Sequence, residues 1–195
     1  MFNSQRITKE IIQQICAFCR HPLPKTVEEE DKILMKRVEA NDPNALVYYT
    51  LILGDEGDYA AEFKYLTKAA GLGDAEAHYY LALMYLNGEG VEKDEKKEIY
   101  HLEEASIRGH PRARHNLGVN EMMNGRIERA MKHFIIAVNL GHDGSLKALK
   151  DYYKDGLVSK DCFAAALRGH YAAVKAIKSP QREAAARYYS AMGSK

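Results

Sequence analysis

The spacing of Cys16 and Cys19 in "QQICAFCRHPLPKTVEEEDK" is the pattern in this chain that most resembles metal chemistry. A two-residue gap lets one turn of backbone present both thiolates to a single ion, and His21 follows as a third donor. A closed structural zinc site takes four such ligands in a tetrahedron. The one other cysteine, Cys162, lies far along the chain in the helix-forming run "KDCFAAALRG", where a packed, inert thiol is expected. Cys16, Cys19 and His21 are therefore an incomplete zinc set that leaves water on the metal, and no bound cofactor is expected.

No other residues assemble a catalytic pattern. The chain has 8 histidines, but His110 and His142 recur at one phase of an internal repeat and His101 and His133 at another, which marks them as scaffold. The runs "EEED" and "DEKKE" are solvated faces or helix N-terminal charges rather than acid–base pairs. "GDEG" and "NGEG" lack the lysine and hydroxyl residue of a phosphate loop. An enzyme is not expected.

The elements that would position any site follow from composition and period. At 195 residues, 46% hydrophobic and 28% charged, the chain is long enough for a substantial core and too apolar for wholesale disorder. A net charge of +1 gives no electrostatic footprint for nucleic acid or an anionic membrane surface. No apolar run reaches the roughly 20 residues of a membrane span, and residues 1–20 lack the core of a secretory signal. With 3 cysteines there is no disulfide framework, and an intracellular, reducing setting, the cytoplasm, is the expectation.

Four units begin at Asp42, Asp74, His110 and His142, dividing residues 42–170 into 42–73, 74–109, 110–141 and 142–170. Ala45, Ala77 and Ala113 coincide in the first three, as do Tyr49, Leu81 and Leu117, then Ala69, Ala105 and Ala137, then Gly73, Gly109 and Gly141. Each unit opens with an Asp cap or a His, carries apolar residues at helical spacing, turns at glycine (Gly54 and Gly57, Gly88 and Gly90, Gly125, Gly156), and closes a second helix at a glycine suited to a left-handed cap. Small alanines let helices approach, while Leu66, Leu102 and Phe134 share one core layer. One such hairpin cannot bury its apolar face, whereas four stacked hairpins can, so the spacing predicts an all-α solenoid of helix pairs.

The second unit carries a specific resemblance. Ala77, Leu81, Tyr85, Gly88, Gly90, Val91, Asp94, Ala105 and Gly109 fall on the pattern of the Sel-one-like repeat, a relative of the tetratricopeptide repeat. Ala82 replaces the glycine that Gly118 retains, and the first and third units lack the Gly-Val-x-x-Asp insertion. The resemblance implies a right-handed α-solenoid whose first helices line a concave groove for a peptide or protein. It places Tyr48, Tyr79, Tyr80, His115, Asn116, Val119 and Lys147 on or near the groove wall, although a tyrosine at helical spacing more commonly packs in a core.

The flanks are read as follows. "CAFCRHPLP" resembles the final Cys-Pro-x-Cys-Arg-x-Pro of a RING finger, with Ala17 for the usual proline, and the stretch that follows is similar to diatom and algal proteins in which a RING-like zinc module precedes such repeats. Residues 1–25 are thus expected to be a remnant of that module behind an amphipathic helix. Thr26 and Glu29 have capping-box spacing and start a helix through about Glu39, with Leu34 and Val38 against the first repeat, so residues 26–41 cap one end. Ser159 caps the next stretch, and 171–195 form C-terminal capping helices and a tail. The expected function is a non-enzymatic adaptor that binds a protein or peptide partner, with no nucleic acid, membrane or small-molecule substrate. The alternative is the substrate-binding part of a RING-type ubiquitin-ligase-like protein with an incomplete zinc module.

Overall fold

A computed structural model describes residues 26–177, so Cys16, Cys19, His21 and the expected zinc remnant and C-terminal tail lie outside the described residues. Among the described residues the secondary structure is entirely helical: α1 (Val27–Glu39), α2 (Pro43–Glu56), α3 (Tyr59–Gly71), α4 (Ala75–Asn87), α5 (Glu95–Ile107), α6 (Pro111–Met123), α7 (Ile127–Asn139), α8 (Asp143–Lys154) and α9 (Lys160–Ile177). The pairs α2–α3, α4–α5, α6–α7 and α8–α9 are the four units, stacked in chain order as an α-solenoid.

Side-chain caps set the helix starts except that of α7, which has none. The Thr26 hydroxyl accepts from the Glu29 N–H at 3.2 Å, and the Asp42 and Asp74 carboxylates accept from the Ala45 and Ala77 N–H groups at 3.3 and 2.8 Å. In the third and fourth units imidazole takes that role: Nδ1 of His110 accepts from the Ala113 N–H, and Nδ1 of His142 from the Ser145 N–H, both at 3.0 Å. The same tie starts α9, where Ser159 Oγ accepts from the Cys162 N–H at 3.2 Å. Each cap satisfies an N–H that a helix start leaves without a partner.

The matched alanines and glycines have a common purpose. Gly73, Gly109 and Gly141 have φ of 87°, 85° and 87°, the left-handed region that a side chain disfavours. That twist lets the N–H groups of Asp74, His110 and His142 reach back to the carbonyls of Ala69, Ala105 and Ala137 at 3.1, 3.1 and 3.0 Å. The residue that ends one hairpin's backbone pattern is thereby the cap of the next.

Two glycines depart from the expected punctuation. Gly54 lies within α2, its Cα facing the Glu62 carboxylate, and the turn falls to Gly57 alone. Gly169 does not end a helix, because α9 runs through it to Ile177 across the expected boundary at 170. There a β-carbon would run into Asn139 Oδ1, so Gly169 serves close approach of α9 to the end of α7.

The core runs the length of the stack as consecutive layers. Leu46, Leu66 and Leu81 join the first two units, with Val38 of α1 buried on the same cluster and Leu34 packed at its edge. Tyr79, Leu102, Ala113 and Leu117 join the second and third, and Phe134, Val138, Leu149 and Ala166 the third and fourth, where Cys162 is partly buried. The helix α1 therefore covers the apolar end that the first unit would otherwise leave open.

Candidate partner-binding groove

Tyr48, Tyr80 and Asn116 occupy the same position on α2, α4 and α6, six residues after the cap in each unit. Tyr48 is 59% exposed, and Tyr80 and Asn116 are half-buried. Val119, one turn beyond Asn116, is exposed, as is Lys147 on α8. These residues lie on accessible helix surface.

Tyr79, one position earlier, does not, and His115 is half-buried and bonded to the next unit. Tyr79 is 8% exposed and stacks on His110 of the next unit, ring centroids 4.6 Å apart, with the Arg112 guanidinium 4.6 Å from its ring centre. Glu76 ties this seam by accepting from His110 Nε2 at 2.9 Å and from Arg112. His115 repeats the arrangement one unit on: its Nδ1 bonds Ser145 Oγ at 2.8 Å, and its ring lies 4.8 Å from that of His142. One residue along a helix is about 100° of rotation, enough to turn a side chain from open wall into the joint between repeats. The seam, rather than the groove wall, is where the structure puts this pair.

Asn116 and Val119 meet other residues in a cleft of ≈ 520 Å³ between α4, the 88–94 loop, α5 and α6. Leu86, Val119 and Met123 supply apolar lining, and Asn120, Glu95 and Glu98 supply polar lining. The loop is held in place at Gly90, whose φ is 69° and whose Cα faces the Tyr59 backbone closely enough that a β-carbon would lie 2.7 Å from the Tyr59 carbonyl oxygen. Val91 packs on the first core cluster, and Asp94 donates its N–H to the Tyr85 carbonyl at 3.2 Å before capping α5. Helical spacing from Asn116 and Val119 would have found Asn120 and Met123, each four residues on. Glu95 and Glu98 reach the cleft only through the path of the loop. Lys147 instead borders a separate apolar cleft with Leu146, Phe163 and Leu167.

Within the second and third units partly buried polar pairs tie the first helix to the second. His78 and His101 bond Nδ1 to Nδ1 at 3.0 Å, one ring donating and the other accepting, and His101 stacks on Tyr85. Burial first, and then the neighbouring His78, push His101 down to about 4. Burial likewise lowers His78, His110, His115, His133 and His142, so these rings are neutral at pH 7. In the third unit Arg114 and His133 occupy the positions of His78 and His101. Beside them Glu121, 8% exposed, accepts from Arg126 and pairs with Arg129 at 3.2 Å; the Arg126 hydrogen bond is the main reason its carboxyl lies below the usual range.

Among the described residues no three His, Cys, Asp or Glu side chains come together to hold a metal, and no helix is long and apolar enough to cross a membrane.

The chain matches the Sel1 repeat family over residues 63–74, 75–110 and 111–142, boundaries that coincide with the caps at Asp74, His110 and His142. No curated protein sequence matches it. Among solved structures it is similar to a Sel1 repeat protein from Oxalobacter formigenes, with 28% identity and a TM-score of 0.64 over 78% of this chain and 66% of that one. It is also similar to c5321, a protective antigen of uropathogenic Escherichia coli strains with an SLR fold, at 25% identity and a TM-score of 0.59. That match covers 75% of this chain and 33% of the antigen, so the chain spans about two thirds and one third of the two proteins. The caps, the alanine–glycine closures and these matches agree: residues 63–142 carry Sel1 repeats, and the described residues stack as an all-α solenoid.

Proposed function

We propose that this chain is a non-enzymatic interaction scaffold that holds a segment of a partner protein against the exposed face of α4 and α6. Sel1 repeat proteins generally act as protein-interaction scaffolds, and the reading requires no cofactor and no small-molecule substrate. The observation that carries it is the cleft lined by Leu86, Val119 and Met123, all exposed and Met123 to 83%. Aliphatic side chains at this exposure gain from being covered, at about 25 cal/mol for each Å² of apolar surface removed from water. The neighbouring amides of Asn116 and Asn120 offer both donors and acceptors to a peptide backbone.

Site-specific photocrosslinking tests the assignment. A photoreactive residue at 119 is expected to yield discrete adducts with a partner in cells of the source organism, while the same residue at Lys132 on α7 does not. Leu86→Asp is expected to abolish the adducts with the helical content unchanged. Equal labelling from positions 119 and 132, or adducts indifferent to Leu86→Asp, would show that the partner sits elsewhere.

A further inference from the structure

The geometry points to a specific occupant of the α4–α6 cleft: an extended segment of a partner protein in which aliphatic side chains adjoin a lysine or arginine. The inference rests on the groove reading above and adds the charge of what the groove takes.

Three carboxylates and one cation line the cleft: Asp94, Glu95 and Glu98 against Lys93. Asp94 is already engaged, accepting from the Lys97 N–H at 3.1 Å and pairing with its ammonium at 3.6 Å. Neither Glu95 nor Glu98 has an ion-pair partner among the described residues. Glu98 is half-buried, and burial followed by the charge of Glu95 holds its carboxyl above the usual range. Two like charges one helical turn apart and partly out of water are an arrangement that an incoming cation relieves.

The surroundings extend the same field. Residues 54–62 and 89–98, which form the edge of the first two units, hold Asp55, Glu56, Asp58, Glu62, Glu89 and Glu92 besides the lining carboxylates, against Lys93, Lys96 and Lys97. Glu62 is itself raised by burial and then by Glu89. This local excess is invisible in a net charge of +1, because basic residues such as Arg112, Arg114, Arg126 and Arg129 gather in the third unit. Carboxylates and aliphatic side chains lining one cleft select a segment that is both apolar and basic. A glutamate in the same place would add a like charge to Glu95 and Glu98.

Synthetic peptides test this directly. The probe is a fluorescein-labelled nonapeptide with two leucines flanked by lysines, compared with a version carrying glutamate for lysine and one carrying serine for leucine, each titrated by anisotropy. The lysine–leucine peptide is expected to bind at least about tenfold more tightly than either control, and to weaken as salt is raised from about 50 to about 300 mM. Glu95→Gln with Glu98→Gln is expected to raise its Kd about fivefold or more and flatten the salt dependence, with the melting curve showing the fold intact. Lys93→Glu is expected to tighten it, an outcome that damage to the fold cannot produce. The inference is overturned if the glutamate peptide binds as well as the lysine one, or if the Glu95, Glu98 and Lys93 variants leave Kd unchanged. If the glutamate peptide binds and Val119→Asp abolishes it, the groove reading survives and only its charge is wrong. If no peptide binds, the charge inference fails, and crosslinking from position 119 then decides separately whether the groove reading fails with it.

Discussion

A β-carbon on Gly118 would stand 2.9 Å from a ring carbon of Phe134, which is 1% exposed and cannot swing away. The equivalent pairs are Ala82 with Leu102 and Thr50 with Leu66, so within one chain the smallest residue on the first helix faces the largest on the second. Gly118→Ala is therefore expected to destabilise the protein by about 1–2 kcal/mol, overpacking outweighing the better helix propensity of alanine. In a Phe134→Leu background the same substitution is expected to be neutral or stabilising by up to about 1 kcal/mol. A urea double-mutant cycle reads the coupling; additive single effects would show that the two residues do not constrain each other.

Much of this arrangement was legible before any coordinates, and what was not has a common cause. Asp42, Asp74 and Ser159 announce caps because a cap is a contact within three residues, and Gly73, Gly109 and Gly141 announce closures for the same reason. Tyr79 and Tyr80 could not be told apart, since the pattern marks both as aromatic on a first helix and only the next repeat's His110 and Arg112 decide which is covered. Glu95 and Glu98 are the helix N-terminal charges that the sequence suggests, in the first turn of α5. Their place in the lining of the α4–α6 cleft depends on how the 88–94 loop returns past Tyr59, which no local rule contains.

That loop supplies its own test. Gly90 and Gly125 both have positive φ, 69° and 71°, but only Gly90 sits against another segment. Alanine at Gly125, which has nothing within 4 Å, is expected to lose only the conformational term, about 1 kcal/mol. Alanine at Gly90 is expected to lose about 2–3 kcal/mol, because the loop must also move off the Tyr59 backbone. It is also expected to weaken peptide binding in the α4–α6 cleft, whereas Gly125→Ala leaves that binding unchanged. Equal denaturation midpoints for the two variants would contradict the close approach.

Glu121 occupies the position taken by Leu53 in the first unit and Tyr85 in the second, both buried. Its partners Arg126 and Arg129 are largely exposed, so the ion pairs are screened on one side and the carboxylate is desolvated on the other. Glu121→Leu is expected to leave stability within about 1 kcal/mol of the parent or raise it. Glu121→Ala, which leaves a gap as well as stranding the arginines, is expected to lose about 1–3 kcal/mol. Chemical denaturation separates the two, and equal losses of more than about 1 kcal/mol in both variants would mean that the carboxylate's polar contacts, not the side-chain volume, hold the third unit.

Buried neutral histidines make the stack sensitive to acid. Burial holds the folded pKa values of His78, His101, His110, His115, His133 and His142 below the ordinary 6.5, with His101 at about 4. The unfolded chain therefore takes up protons that the folded chain refuses. Stability is fully present above about pH 6.5 and is lost as pH falls toward 4, by about 1.4 kcal/mol per pH unit for each additional proton bound on unfolding. At the caps the reason is visible: Nδ1 of His110 and of His142 accepts a backbone N–H, which a protonated ring cannot do. Glu62 and Glu98, raised by burial, act in the opposite direction near the lower end of this window and soften the fall. The first unit has Tyr65 where the second has His101, so His101→Tyr keeps an aromatic donor beside His78 while removing the titration. Melting temperature is expected to drop between pH 7.5 and pH 5 in the parent and to drop less in the His101→Tyr protein; identical acid limbs would show that the His78–His101 pair carries none of the effect.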